Sequence, residues 1–314
     1  MVHSGSVSTK SGEDDPLARS YRQALGAIRE IFRQVDCGLV PEVGNLLAAA
    51  QSLASVAVRD PAELLGLTIN KDCDSYSFHH SVNVGILAMA LSAALGHPLT
   101  EVEETGIAGF LHDLGKTKVD REIVSKPGKL SEQEYDEMKR HSEYGAILVR
   151  QMVGLPTRVA NGVLGHHIRF DRGGYPEWAR ERAFSTMAGI VAVADCYDAT
   201  TTQRVYQPQM LPAQAIEEIR SQGGTSLDAD IVACFLQLAG RFPVGSLVRL
   251  DSNEIAVVFT PSSHPRGAAT VQLVRDSFGT ALAEPVLLSL AQSGSCIVDL
   301  VEPLLLEGKL ACCV

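Results

Sequence analysis

Several common signatures are missing from this 314-residue chain. Its seven cysteines, Cys37, Cys73, Cys196, Cys234, Cys296, Cys312 and Cys313, are odd in number and scattered, without a CxxC pair. That excludes a zinc ribbon and a disulfide framework and agrees with a reducing compartment. The terminal Cys312-Cys313 pair is misplaced for prenylation. The longest apolar run, Val84 to Gly96, has 13 residues, short of the roughly 20 that a membrane-spanning helix needs. Positive charge is scarce: 27 Lys and Arg stand against 37 Asp and Glu, for a net charge of −10. Such a chain is not a general binder of nucleic acid polymers, whose phosphates attract basic faces, although a local cationic pocket stays compatible. A Gly-rich phosphate loop and an internal repeat are absent. The first fifteen residues lack the apolar core of a secretory signal and read as a polar, disordered tail. Together these features predict a cytoplasmic protein with no membrane segment.

Apolar residues at helical spacing dominate what is present. Residues 16–70 mix charged and apolar positions, as in YRQALGAIREIFRQV, and predict two or three helices. After a break near TINKDCDSYS, HHSVNVGILAMALSAALG predicts a helix from the histidines to Gly96, with Val82, Ile86, Met89, Ala90 and Ala93 on one face. EVEETGIAGFLHDLGK gives a short helix stopping at Gly115. Ser131 and Glu134 form a capping box, with Leu130 placed to staple onto Tyr135. The helix so begun is expected to reach Met152, with Met138, His141, Gly145, Leu148 and Met152 on one stripe. Pro156 opens a helix that reaches His166 and His167, STMAGIVAVADCYDATT forms another, Pro212 and Gly223 bracket a third, and DADIVACFLQLAG closes the helical region. Beyond Pro243, SLVRLDSNEIAVVF reads as two short strands about an Asp-Ser-Asn-Glu turn. The expected fold is mainly α: a tail at 1–15, N-terminal helices at 16–70, a central helical domain at 71–242 and a small β-rich region at 243–314.

Histidine is scarce too, nine in all, and unevenly placed. His79, His80, His112, His141, His166 and His167 fall near predicted helix ends or on stripes otherwise apolar. Any one alone reads as a core histidine with its hydrogen bonds made. With Asp113 beside His112, and Asp195 and Asp198 at i, i+3 on one helix, they form a nitrogen-and-oxygen donor set without thiolate. Divalent iron or manganese suits that set, and zinc is admitted. So many donors would crowd one ion, whereas an aspartate can bridge two about 3.5 to 4 Å apart. Two ions suit phosphate-ester chemistry, since they acidify a shared water, clamp the non-bridging oxygens and stabilise the leaving oxygen. His166 and His167, about 100° apart on a helix, can face one cluster, each toward a different ion. Lys116 either reaches a bound phosphate or is a solvated cation at a helix C-terminus. The Gly173-Gly174-Tyr175-Pro176 turn brings Tyr175 near the cluster, to stack on a base or pack on the body.

HDLGK at 112–116, KPGKLSEQE at 126–134, His141 followed by Gly145, HHIRFDRGGYP at 166–176 and VADCYDATTTQRVY at 193–206 stand in one order over roughly residues 76–240. In that order they resemble the HD-GYP phosphodiesterases of the HD superfamily. The resemblance implies an HD-superfamily helical bundle that hydrolyses cyclic di-GMP, to linear pGpG or on to GMP, with a hydroxide bridging two metal ions. It implies His80, His112, Asp113, His141, His166, His167 and Asp195 as ligands, Asp113 as the bridge, and His79 as a neighbour. Asp113 and Lys116 take the catalytic roles, Lys116 on the scissile phosphate. Lys116, Gly174, Tyr175, Asp198 and Arg204 surround the nucleotide, Arg204 as a planar fork for phosphate. Tyr76 stands where some members carry a glutamate for a third metal, which favours two ions. Ile168 replaces a glutamate, Arg172 a glycine, Thr200 a leucine and Gln207 a basic residue, departures that bear on substrate more than on metal. A cyclic di-GMP sensor or adaptor with weak turnover, and an HD phosphohydrolase of another nucleotide, are the alternative readings. Signalling partner proteins and a homodimer are the further partner expectations.

Overall fold

Amphipathic spacing builds the first helices. A computed structural model describes residues 16–69, 76–181, 183–202, 210–261 and 269–302. Helix α1 (Pro16–Asp36) buries Tyr21, Ala24, Ile28, Ile31 and Val35 along one side, and α2 (Gly44–Arg59) buries Leu46, Ala49, Ala50 and Leu53. The short α3 (Pro61–Leu65) starts at Asp60, whose carboxylate accepts the Ala62 N–H ahead of a first-turn proline.

Helix α4 (Tyr76–Ala94) is the hub. Every residue from His80 to Ser92 is buried, because α1, α2, α3, α5 (Leu99–Leu111) and helices later in the chain pack around it. This corrects the one-sided stripe: Val84, Leu87, Ala88 and Leu91 are as deeply buried as Val82, Ile86 and Met89. The helix also begins at Tyr76, one turn ahead of the histidines that were expected to open it.

A 3-10 turn, Leu114–Lys118, follows α5, and then come α6 (Arg121–Val124), α7 (Glu132–Lys139) and α8 (His141–Gln151). The capping box of Ser131 and Glu134 is present. The single helix expected to Met152 is instead two. At Arg140 the backbone N–H bonds the Glu137 carbonyl at 3.1 Å, and the His141 side chain takes the Met138 carbonyl. Helix α9 (Thr157–Gly165) ends one residue before His166. Helix α10 (Thr186–Thr201), capped by Ser185, then packs on α4, and α11 (Pro212–Gln222) and α12 (Ala229–Ala239) complete the bundle. None of the described helices is long and apolar enough to cross a membrane.

The remainder is an antiparallel sheet of β1 (Leu247–Leu250), β2 (Ile255–Thr260), β3 (Thr270–Arg275), β4 (Ala281–Ser289) and β5 (Ile297–Leu300), in the order β4-β3-β2-β1-β5, with a single turn of helix, α13 (Leu290–Ser293), after β4. The two strands expected about the Asp-Ser-Asn-Glu turn are β1 and β2, with Asn253 at φ 68° in the turn. One face of the sheet is closed by Val248, Leu250, Ala256, Val258 and Val271.

Candidate metal centre

Three helix ends and two helix interiors supply the site. His112 follows α5, His141 follows α7 by two residues, and His166 follows α9. Each donates its Nδ1–H to the carbonyl three residues back: Gly109 at 2.7 Å, Met138 at 2.7 Å and Val163 at 2.6 Å. Carbonyls of a last helical turn lack a ladder partner, so such acceptors are ready-made. His80 lies inside α4 and Asp195 inside α10, two helices packed side by side. Asp113 stands at the start of the 3-10 turn, which lies against α8 because position 115 is glycine. A Cβ there would come within 1.9 Å of the His141 carbonyl oxygen.

Two trios result, His80 with His112 and Asp195, and His141 with His166 and His167, each with donor atoms within 4.8 Å of one another. Asp113 lies between them. Its Oδ2 is 3.4 Å from His112 Nε2 and 3.8 Å from His80 Nε2, while its Oδ1 is 3.6 Å from His141 Nε2. All seven residues expected as ligands therefore converge. His166 and His167 differ from expectation in pairing: both join His141, since their rings stack 4.1 Å apart.

The donor set suits a cation. A carbonyl only accepts, so Nδ1 bears a proton in His112, His141 and His166, and Nε2 is the atom each ring presents to the centre. Nε2 of His112 is buried with no hydrogen-bond partner among the described residues. Nε2 of His141 and of His166 face each other at 3.3 Å, an approach that a proton or a metal ion between the two rings would satisfy. The site thus fits divalent metal.

The two trios differ in charge. Burial opposes a proton on His80, but Asp195 and Asp198 on either side of the ring outweigh it and raise its pKa to about 9. Burial lowers His141 to about 4 and, with His141 beside it, lowers His167 to about 3. Burial and the neighbouring imidazoles push His166 well down. Burial would raise the carboxyls of Asp113 and Asp195, yet Lys116 and His112 hold Asp113, and His80 and His112 hold Asp195, well below the usual range.

Around this centre, Lys116 is about one-third exposed, with Nζ 2.6 Å from Asp113 Oδ2. Tyr175 lies over His167, ring centroids 4.5 Å apart, and meets His141 edge-on; burial pushes its phenol pKa up. Gly174 makes this possible: its φ is +74°, and a Cβ would come within 2.1 Å of the His167 carbonyl oxygen, which accepts the Tyr175 N–H at 3.2 Å. Asp198 is a correction. It is buried behind His80, accepting from His80 Nδ1 at 2.8 Å and Asn83 Nδ2 at 3.0 Å, rather than exposed toward a ligand. Arg204 and Gln207 lie outside the described residues, as does the Tyr76 side chain. Ile168 packs into an apolar cluster with Ala146, Leu164, Ala179 and Ala183. Arg172 adopts φ +66°, the region its glycine counterpart would favour, and lays its guanidinium 3.7 Å from the Phe184 ring centroid. Thr200 donates to the carbonyls of its own helix. Sequence reasoning missed Asn83, which donates to Asp198, Tyr21, which donates to Asn83, and Arg180, which donates to the Gly174 carbonyl at 2.7 Å. Asn83, three residues after His80, was the one legible signal, a polar residue in an apolar helix.

A family model described as HD domain matches residues 62–231. The chain belongs to the HD domain family. The match begins ahead of residue 71, so α3 falls within the HD region. Among relatives, the chain is 34% identical over 248 residues to a cyclic di-GMP phosphodiesterase of Pseudomonas aeruginosa, covering 79% of this chain and 59% of that one. It is 34% identical over 166 residues to a cyclic di-GMP phosphodiesterase of Thermotoga maritima, covering 52% and 45%. It is 33% identical over 135 residues to 3′3′-cGAMP-specific phosphodiesterase 1 of Vibrio cholerae, covering 43% and 31%. The chain thus spans between about a third and three-fifths of the length of these relatives. The solved structure of Bd1817, an HDG"Y"P protein from Bdellovibrio bacteriovorus, shares the HD fold, with a TM-score of 0.57 at 18% identity over 73% of each chain.

Proposed function

We propose that this HD domain chain is a metal-dependent phosphodiesterase that hydrolyses cyclic di-GMP, to pGpG or on to GMP. Asp113 carries the reading: one carboxylate divides its oxygens between two trios whose lone pairs converge. The residues that would hold two ions are His80, His112, Asp113 and Asp195 on one side and Asp113, His141, His166 and His167 on the other. Imidazole and carboxylate without thiolate favour iron or manganese, with zinc third. When bound, such ions supply Lewis acidity to a phosphate oxygen and to a water. The chain's own groups do the rest. Lys116, at the edge of the centre, neutralises a phosphate oxygen of the scissile diester. Tyr175 offers its ring to a guanine base, with Gly174 keeping the chain close beneath it, and Arg204 is assigned to a phosphate as a planar fork.

The catalytic unit is taken as 71–242, with 16–70 and 243–314 attached to it, in a cytoplasmic protein that signals through partner proteins and forms a homodimer. The names of the Pseudomonas and Thermotoga relatives support the substrate, and that of the Vibrio relative favours a second reading, hydrolysis of 3′3′-cGAMP. The test is protein purified without oxygen, loaded with Mn(II) or Fe(II) and given each cyclic dinucleotide, with products separated by chromatography. Metal-dependent pGpG or GMP, lost in Asp113→Ala, is expected. Equal turnover after metal is stripped, or cleavage of 3′3′-cGAMP alone, overturns the cyclic di-GMP assignment.

A further inference from the structure

We infer that Tyr21, on α1 and outside the HD match, is a positioning residue for His80, acting through Asn83 and Asp198. The inference rests on the reading of His80 as a metal ligand. Tyr21 is buried, and its hydroxyl lies 3.2 Å from Asn83 Oδ1 and 3.0 Å from His79 Nδ1. Asn83 Nδ2 is 3.0 Å from Asp198 Oδ1, and Asp198 Oδ2 is 2.8 Å from His80 Nδ1. The other side of the His80 ring, Nε2, faces Asp195 and Asp113.

The polarity of this chain is fixed from its charged end. Asn83 gives an N–H of its amide to Asp198 Oδ1, and so turns its carbonyl oxygen away from that carboxylate. That oxygen then needs a donor, and the Tyr21 hydroxyl is the donor within reach. Having spent its proton there, the hydroxyl accepts from His79 Nδ1–H. Each link admits one direction, so a change at Tyr21 passes to Asn83, from Asn83 to Asp198, and from Asp198 to the ring it orients. Outer partners of this kind fix the tautomer and orientation of a ligating histidine. His112, His141 and His166 are backed by carbonyls of their own segments, so the effect of α1 is confined to the His80 trio.

The test is titration of the full chain with Mn(II), followed by calorimetry and by electron paramagnetic resonance, for the wild type, Tyr21→Phe, Asn83→Ala and the double variant. The wild type takes up two ions. Tyr21→Phe weakens one of them about three- to tenfold, below the ten- to hundredfold typical of a direct outer partner, with the circular dichroism spectrum unchanged. That loss persists in a His167→Ala background, vanishes in a His80→Ala background, and adds nothing once Asn83 is alanine. Unchanged affinities in Tyr21→Phe, equal weakening of both ions, or additive losses in the double variant overturn the inference. If Tyr21→Phe does not fold, Asn83→Ala alone must weaken the His80 ion and spare the other, and equal affinities overturn it. A wild-type chain that takes up no ion sinks the metal reading itself, and the inference with it; two ions in the wild type with no response at Tyr21 sinks the inference alone.

Discussion

Two ways of holding an imidazole meet in this centre. His141 and His166 stand where a helix has just ended and use a carbonyl of that last turn. His80 stands one turn into α4, where the carbonyls belong to the helical ladder, and takes the carboxylate of Asp198 from another helix. The first device is neutral and comes with the fold. The second brings a buried charge and the need for further partners, Asn83 and Thr202, to satisfy it. Position along a helix thus decides the charge of each half: the His80 trio includes Asp195 and is backed by Asp198, while the His141 trio is all imidazole and shares one oxygen of Asp113.

The change with the largest expected effect removes what the halves share. Asp113→Ala lowers metal-dependent turnover by more than about 100-fold, beyond the range of outer-shell changes, and reduces metal uptake in both trios. Metal analysis checks it: a variant that loses a single equivalent would show that Asp113 serves one half alone.

Charge separates the halves in their response to pH. In the metal-free chain, the pKa of His80 is raised from the 6.5 of a free imidazole to about 9. The folded state then holds the extra proton, and the stabilisation is complete below pH 6.5 and lost as pH rises through 9, a change of up to about 3 kcal/mol. His141 and His167 are opposite: with folded pKa values of about 4 and about 3, the unfolded chain protonates first, so stability falls as pH drops from 6.5 through those values. Metal-free protein is expected to melt highest near pH 6.5, read by Tm against pH. Coordination needs the lone pair of His80, so metal loading removes the alkaline decline and releases a proton near pH 7, measured by calorimetry in two buffers. An alkaline decline that survives loading would place His80 outside the coordination sphere.

The same contrast governs what the sequence disclosed. Helices with one apolar side, such as α1, and strong stops, such as the Ser131 capping box, were readable because local chemistry decides them. The seven donor residues were readable because imidazoles and carboxylates on apolar stripes are rare and their motifs stand in order. Helix α4 misled, since burial on all sides erases periodicity. The pairing of His166 with His167 was illegible because both lie past the end of α9, where 100° per residue no longer applies. The i, i+3 spacing did place Asp198 on the face of Asp195, where Asp195 meets Nε2 of His80 and Asp198 meets Nδ1 of the same ring; its nucleotide role came from the resemblance and not from that spacing.

Below the shared aspartate and the pH response comes the backing of His80 alone. Asp198→Asn keeps the shape and removes the charge, and is expected to weaken metal at the His80 trio about 10- to 100-fold while sparing the His141 trio. Mn(II) titration resolves the two, and an equal loss in both would mean that Asp198 supports the bundle rather than one ring.

Thr202 gives the smallest effect and the finest test of the comparison. Its hydroxyl lies 3.4 Å from Asp198 Oδ2, the oxygen already 2.8 Å from His80 Nδ1. At that length it adds little to a carboxylate that Asn83 and His80 already hold. Thr202→Val keeps the branched shape in a buried position and should change metal affinity at the His80 trio by less than about threefold, within the few tenths of a kcal/mol expected of a long hydrogen bond. A loss as large as that of Asp198→Asn would show that Thr202, rather than Asn83, holds the carboxylate, and would move the support of His80 from α4 to the end of α10.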